Sequence, residues 1–399
     1  MKNIRSRMMW LVFPLLAFFT DISAWAYEIS GYAGIEGRLF FQDPVHPGQR
    51  NQQGSIVGQP ELFREWKEHS LTFVPFFRLD SADAERSHGD IREFFVLWYP
   101  EAFELGVGLR KIFWGVAESQ HLVDIINQTD LVELPDGEEK LGQPMINLSV
   151  LRNWGTLDFF LLPYFRERTF PGLKGRLRGP LVIDTDQARF ESGAENHRLD
   201  LAIRYSQTLG DWDFGLSHFQ GTGREPTLLP GVDAGGNPVL IPFYEQISQT
   251  GLDVQRIIEI WLLKLELIHR IGQGESFEAW TTGFEYTFTG IFETKSDLGL
   301  IGEWLFDTRN EQARTPFEND LMVGLRLAVN DMNDSELLIG IIQDLDNSSK
   351  AMNIEGSRRF GDHWKIEVEG SIFAQQVPND LLYPQRDDDF LQLSLSYYF

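Results

Sequence analysis

Leu391-Gln392-Leu393-Ser394-Leu395-Ser396-Tyr397-Tyr398-Phe399 reads as an extended strand with one oily and one polar side. Successive side chains of a strand point to opposite faces, so Leu391, Leu393, Leu395, Tyr397 and Phe399 share one face, and Gln392, Ser394, Ser396 and Tyr398 the other. The same period of two recurs upstream. Phe103, Leu105, Val107 and Leu109 alternate with Glu104, Gly106, Gly108 and Arg110, and Ile366, Val368, Gly370 and Ile372 with Lys365, Glu367, Glu369 and Ser371. These segments run to about ten residues, longer than the ~5 to 6 of strands in soluble sandwiches. Ten alternating residues, tilted, cross an apolar band about 25 Å tall. The pattern therefore predicts an all-β chain, a transmembrane antiparallel β-barrel.

The N-terminus agrees. Lys2, Arg5 and Arg7 precede the apolar run 8–19, and Ala24-Trp25-Ala26 has the small-residue spacing of an export cleavage site. Residues 1–26 are expected to be a cleaved signal peptide and 27–399 a single outer-membrane barrel of a Gram-negative bacterium. No run reaches the ~18 to 20 apolar residues of a spanning helix. The chain has no cysteine, which excludes disulfide frameworks, thiolate chemistry and a lipidated N-terminal cysteine. The formal charge of −24 becomes about −26 without the export segment, which argues against nucleic-acid binding. An acidic surface suits a lipopolysaccharide layer bridged by divalent cations, and equally a soluble secreted protein. Phe399, with Tyr397 two residues before it, resembles the C-terminal signal of outer-membrane barrels, which implies lipid and the barrel assembly machinery as partners.

Loop lengths alternate, as they do in barrels with short periplasmic turns and long external loops. The segments 99–102, 153–155, 209–211 and 360–363 read as turns; 114–144, 167–196, 222–247, 307–319 and 377–388 read as external loops. Seventeen strands are directly legible, an impossible parity for a barrel whose ends meet. A further strand at 55–64, turning through Trp66-Lys67-Glu68-His69, gives about 18 strands; 16 is the alternative.

The segment 90–130, DIREFFVLWYPEAFELGVGLRKIFWGVAESQHLVDIINQTD, resembles a family of uncharacterised proteobacterial outer-membrane, porin-like proteins. Its matching positions are Gly108, Arg110, Lys111, Trp114, Gly115, Glu118, Asp124, Asn127 and Asp130. The blocks Leu162-Pro163-Tyr164-Phe165-Arg166 and Gly283-Phe284-Glu285-Tyr286-Thr287 are similar too. Gln128 departs from the proline that family members often carry. The resemblance implies an outer-membrane barrel and supplies no substrate.

Chemistry is sparse. The eight histidines are scattered without paired metal spacing, so no metal site, no cofactor and no catalytic residue is expected. His218 with Ser217 and His197 with Asn196 are sequence neighbours whose side chains diverge in a strand. Alternation puts both signs on the inner wall, including Arg78, Arg92, Arg110, Arg166, Arg198 and Arg326 beside Glu266 and Glu303. Such charges pair across strands or steer ions. The loop 115–144 holds Glu118, Asp124, Asp130, Glu133, Asp136, Glu138 and Glu139 against Lys140 alone. Leu122, Ile125, Ile126 and Leu131 suggest a short helix with Asp124, Asn127 and Asp130 along another face. One reading folds this loop into the lumen as a constriction with Arg110, Lys111 and Arg166 nearby, and lets its oxygens hold a divalent cation. The other leaves it a solvated surface loop. The expected function is a porin-like channel for passive diffusion of small solutes with a weak cation preference. The alternatives are a plugged barrel with a surface binding or structural role, and a lipid-modifying barrel enzyme.

Overall fold

The computed structural model describes residues 27–134 and 136–399; the export segment lies outside them. Eighteen strands form one closed antiparallel sheet in which each strand pairs with the next in the chain. In order they are β1 (Glu28–Phe40), β2 (Gln52–Trp66), β3 (His69–Asp80), β4 (Gly89–Trp98), β5 (Glu104–Arg110), β6 (Gln143–Arg152) and β7 (Gly155–Leu162). After a long loop come β9 (Asp200–Leu209), β10 (Trp212–Thr222), β13 (Gln246–Ile258), β14 (Trp261–Ile271), β15 (Phe277–Phe288) and β16 (Asp297–Asp307). The circuit ends with β17 (Asn319–Ala328), β18 (Glu336–Asp344), β19 (Lys350–Phe360), β20 (Trp364–Ala374) and β21 (Phe390–Tyr398), and β21 pairs with β1 from Tyr32↔Tyr398 to Phe40↔Phe390. Closure satisfies the ladder and leaves no open edge. The inferred extra strand is β2, which turns through Lys67 and Glu68 into β3 at the pair Trp66↔His69.

Register decides what the outside is made of. Ile35 pairs with Ile56 and Ile56 with Leu79, which sets three aliphatic side chains abreast on the outer face at 58 %, 56 % and 65 % exposure. Leu216, Leu263, Val323, Ile341 and Leu393 continue this belt around the barrel. A contiguous apolar band of this extent is far larger than a soluble monomer exposes, and lipid tails are the medium that covers it. Aromatic pairs mark its limits: Trp154–Tyr205, Trp261–Tyr286 and Trp364–Tyr397 at the short-turn rim, and Trp280–Phe306 toward the long loops.

Several strand ends shift by a few residues from the sequence reading, and three of them bear on the site. β5 stops at Arg110 rather than 113, because the Glu93 carboxylate takes the Lys111 N–H and the Asn127 side chain takes the Ile112 N–H, drawing the chain off the ladder. β7 stops at Leu162 rather than 166, since Pro163 has no N–H to give. β9 begins at Asp200 rather than 197. Arg166 and Arg198 therefore sit in the loop 163–199 and not on a wall face. The loop 222–247 is also more than a loop: β11 (Thr227–Val232) and β12 (Pro238–Tyr244) form a hairpin, joined in parallel by β8 (Arg189–Phe190).

Phe399 is half exposed on the outside, and its backbone N–H donates to Gly31 O at 3.1 Å. So little packing depends on its ring that Phe399→Ala should cost the finished barrel little stability. The expected defect lies in assembly: the variant should be degraded or accumulate in the periplasm. Surface exposure at the wild-type level would remove the assembly role.

Candidate functional site

The segment 111–142 leaves β5, enters the lumen and returns to β6. Apolar packing holds it there. Trp114, Val123, Ile125 and Ile126 are buried against lumen-facing side chains that include Phe160, Leu162, Phe219 and Ile268, with the Trp114 and Phe160 rings 5.5 Å apart edge to face. Each fully buried side chain of this kind contributes roughly 1.5–3 kcal/mol. Buried ion pairs gain little net of their desolvation, so the apolar stripe outweighs the loop's charges as the anchor.

The expected helix over 122–131 does not form, and the reason is local. Polar side chains capture backbone groups that a helix would use. Asn127 Oδ1 accepts the Ile112 N–H at 2.8 Å, and its Nδ2 donates to Arg110 O at 2.9 Å and Leu141 O at 2.8 Å. The residue thus ties the outgoing and returning ends of the segment together. Leu141 N–H donates to Gln128 O and Asp130 N–H to Glu139 O, which makes an irregular hairpin. Without a helix, Asp124, Asn127 and Asp130 share no face. Asp124 pairs with Lys140 Nζ at 3.2 Å while Asp130 lies against Arg92 at 2.6 Å, so these three do not converge on a cation. A different trio, His88, Asp130 and Glu133, brings ligand atoms within 4.8 Å of one another. The Arg92 and Arg78 guanidiniums already occupy its carboxylates.

The remaining acids divide into paired and free. Asp130, fully buried, also accepts from Thr169 Oγ1 at 2.6 Å, and these partners with Arg92 and His88 hold its carboxyl well below the usual range despite burial. Glu133 bonds Arg78 at 2.5 Å, and its carbonyl accepts from Arg38 at 3.1 Å. Glu118 reaches Arg326 at 2.5 Å and Lys264 at 3.7 Å. Glu138 meets His121 Nε2 at 3.1 Å; burial alone would depress that imidazole, but the Glu138 and Glu266 carboxylates push it up to about 10, so it is cationic at neutral pH. Asp136 and Glu139 are exposed. Enclosure by the barrel, and then the charges of Glu138 and Glu139, push Asp136 up to about 6, against the Glu138 amide that stabilises its anion. Of the basic candidates, Arg110 donates to Asn147 Oδ1 at 2.8 Å inside the lumen. Arg166 bridges Asp90 and Gly142 O. Lys111 is exposed and falls on the face opposite Arg110, away from the others.

The loop 163–199 seals one side of the mouth. Arg176 bonds Asp388 at 2.5 Å and lies over the Phe40 ring at 4.4 Å, while Leu177 packs with Phe40, Phe373 and Phe390. On the other side, between the inward segment and β14 through β20, a cavity of about 480 Å³ remains. Charges of both signs line it. Arg270 bonds Glu225 at 3.1 Å, and together with Arg168 and Arg309 it holds that carboxyl below its ordinary range in spite of burial. Asp136, Glu138, Glu118 and Glu355 line the same cavity. The sequence reading singled out none of Arg168, Arg270 or Arg309. Their only signal is position: each stands at a strand end or in a loop on the long-loop side.

Comparisons with known proteins agree with this architecture. No family model and no curated protein matches the sequence. Among solved structures, OpdQ of Pseudomonas aeruginosa superposes with a TM-score of 0.53 at 12% identity, over 95% of this chain and 99% of that one. A BenF-like porin of Pseudomonas fluorescens gives 0.52 at 9% identity, over 94% and 98%. The fold is that of an outer-membrane porin barrel. Wzi of Escherichia coli, an outer-membrane protein involved in group 1 capsule assembly and described as a carbohydrate-binding β-barrel, gives 0.53 at 9% identity, over 91% and 83%. Identities this low establish the fold alone.

Proposed function

We propose that the protein is a porin-like channel through which small polar solutes diffuse passively across the outer membrane, with a weak preference for cations, and that it is not an enzyme. The eccentric, charge-lined cavity beside the inward segment is the observation that carries this reading. Cations are favoured because Asp136 and Glu355 line the cavity without an ion pair among the described residues; the preference is weak because guanidiniums line the same cavity. Charged groups in a narrow aqueous path act on ions in this way. The Ser217 and His218 neighbours do not form a catalytic pair, since Ser217 is buried on the lumen side and His218 is exposed on the lipid side.

Asp136→Asn combined with Glu355→Gln should lower the preference for potassium over chloride in bilayer reversal potentials, most at low salt where screening is weak. In the wild type, the preference should rise as pH climbs through about 6, because the raised Asp136 carboxyl is neutral below that value and anionic above it. A flat profile in the wild type, or an unchanged preference in the double variant, would remove Asp136 and Glu355 as its source. Glu133→Gln belongs to a different class, because that side chain is buried against Arg78 and its loss would loosen the segment.

One observation favours a second reading, a plugged barrel with a binding or structural role at the cell surface. The apolar cluster fills the lumen beside β6 through β15, and the cavity that remains lies to one side of it. Conductance separates the two.

A further inference from the structure

Two wall carboxylates bind backbone where side-chain cations would be expected. Glu266 on β14 and Glu303 on β16 are inaccessible, at 0% and 1% exposure. Glu266 Oε1 accepts the N–H groups of Val116 at 2.7 Å and Ala117 at 3.0 Å, and its Oε2 accepts that of Val123 at 3.2 Å. Glu303 Oε1 accepts the Glu118 N–H at 2.8 Å, and its Oε2 accepts the Ser119 N–H at 2.8 Å and the Ser119 hydroxyl at 2.6 Å. Five consecutive or near-consecutive amides of 116–123 thus converge on two anions. Among the described residues neither carboxylate has a lysine or arginine partner; His121 Nδ1 stands 3.9 Å from Glu266. Hydrogen bonds to an ionised acceptor are about twice as strong as neutral ones, and in a dry site they fix geometry.

Gly115 supplies an independent observation. Its φ is +148°, a conformation that side-chain-bearing residues rarely adopt, and a Cβ there would lie 2.9 Å from Glu266 Oε1 and 3.0 Å from His121 Nδ1. The Trp114-Gly115 pair is therefore fitted to this contact: the indole enters the apolar cluster, and the glycine lets the following backbone approach the carboxylate.

We propose that Glu266 and Glu303 are positioning residues that pin the segment 116–123 to one side of the lumen and so set the cross-section of the passage, and that they do not serve as ion-steering charges. This rests on the channel reading. Their partner is the chain's own backbone. The reach of the side chain is then what matters, and charge alone does not suffice.

Shortening by one methylene separates the two roles. Glu303→Asp keeps the charge but withdraws it from the Glu118 and Ser119 amides. Glu303→Gln keeps the reach but replaces one acceptor oxygen by an NH2 group facing an N–H. Both variants should raise the single-channel conductance, add substates, and admit larger polyethylene glycols, as judged by the polymer size that no longer lowers conductance. Ser119→Ala, which removes one of three donors to Glu303, should give a smaller change in the same direction, and Gly115→Ala should resemble Glu303→Asp. Heat-modifiable gel mobility identifies the variants whose barrel has folded, and Ser119→Ala serves if a glutamate variant does not fold. A Glu303→Asp channel with wild-type conductance and polymer cut-off, beside a Glu303→Gln channel with altered ion preference alone, would overturn the proposal in favour of charge steering. A wild-type protein that does not conduct at all would instead overturn the channel reading on which it rests.

Discussion

A variant lacking residues 120–142 should conduct several-fold better than the wild type and still migrate as a folded barrel when unboiled. The pair Arg110↔Gln143 brings the two ends of the inward segment side by side, so residues 111–119 suffice to reconnect β5 to β6. The β5–β6 ladder, from Glu104↔Ser149 to Arg110↔Gln143, does not use the deleted residues. Lost with them are Val123, Ile125 and Ile126, which cover Phe160, Leu162 and Phe219. Uncovered apolar area costs about 25 cal/mol per Å² in water, so the variant should also melt lower. Closure of the sheet, which does not depend on the lumen filling, should nevertheless survive. Unchanged conductance in a folded deletion variant would place the segment outside the current path.

The most damaging single substitution in the segment should be Asn127→Leu. Its shape is nearly retained, but the Ile112 N–H, Arg110 carbonyl and Leu141 carbonyl lose their partner together. Each buried polar group left unsatisfied costs about 1–3 kcal/mol, so the sum is comparable to the burial of two or three of the segment's apolar side chains. Partial release should follow, seen as noisy, multi-level conductance and as cleavage near Lys111 or Lys140 by trypsin added to intact cells. Asn127→Asp should behave no better, because a carboxylate would face two carbonyl oxygens. A quiet, protease-resistant Asn127→Leu channel would show that the apolar contacts hold the segment unaided.

Period-two alternation made the barrel legible because a membrane imposes one solvent outside and another inside on every strand. Leu391, Leu393 and Leu395 report that constraint residue by residue, and so did the parity that demanded a strand before His69. The inward segment was legible only by composition. Its seven acids stand out in the sequence, but the bonds they make are set by strands far away: Arg78 on β3 for Glu133, Arg92 on β4 for Asp130, Arg326 on β17 for Glu118. The helix expected over 122–131 fails for the same reason, since Asn127 and Asp124 draw on backbone groups beyond their own turn. Glu266 and Glu303 were visible as inward charges, yet nothing in a strand's alternation says that a carboxylate will bind amides instead of a guanidinium. Gly115 was the nearest hint, a glycine between Trp114 and Val116 where close backbone approach has a use.

The central claim, that solutes pass beside the inward segment, is tested most directly by the wild-type protein in a planar bilayer. Purified barrel whose unboiled mobility shows it folded should insert in discrete steps of uniform conductance, with current rising with salt and a mild excess of potassium over chloride at neutral pH. Folded, membrane-inserted protein that gives no steps at any voltage would contradict the account and leave a plugged barrel in its place.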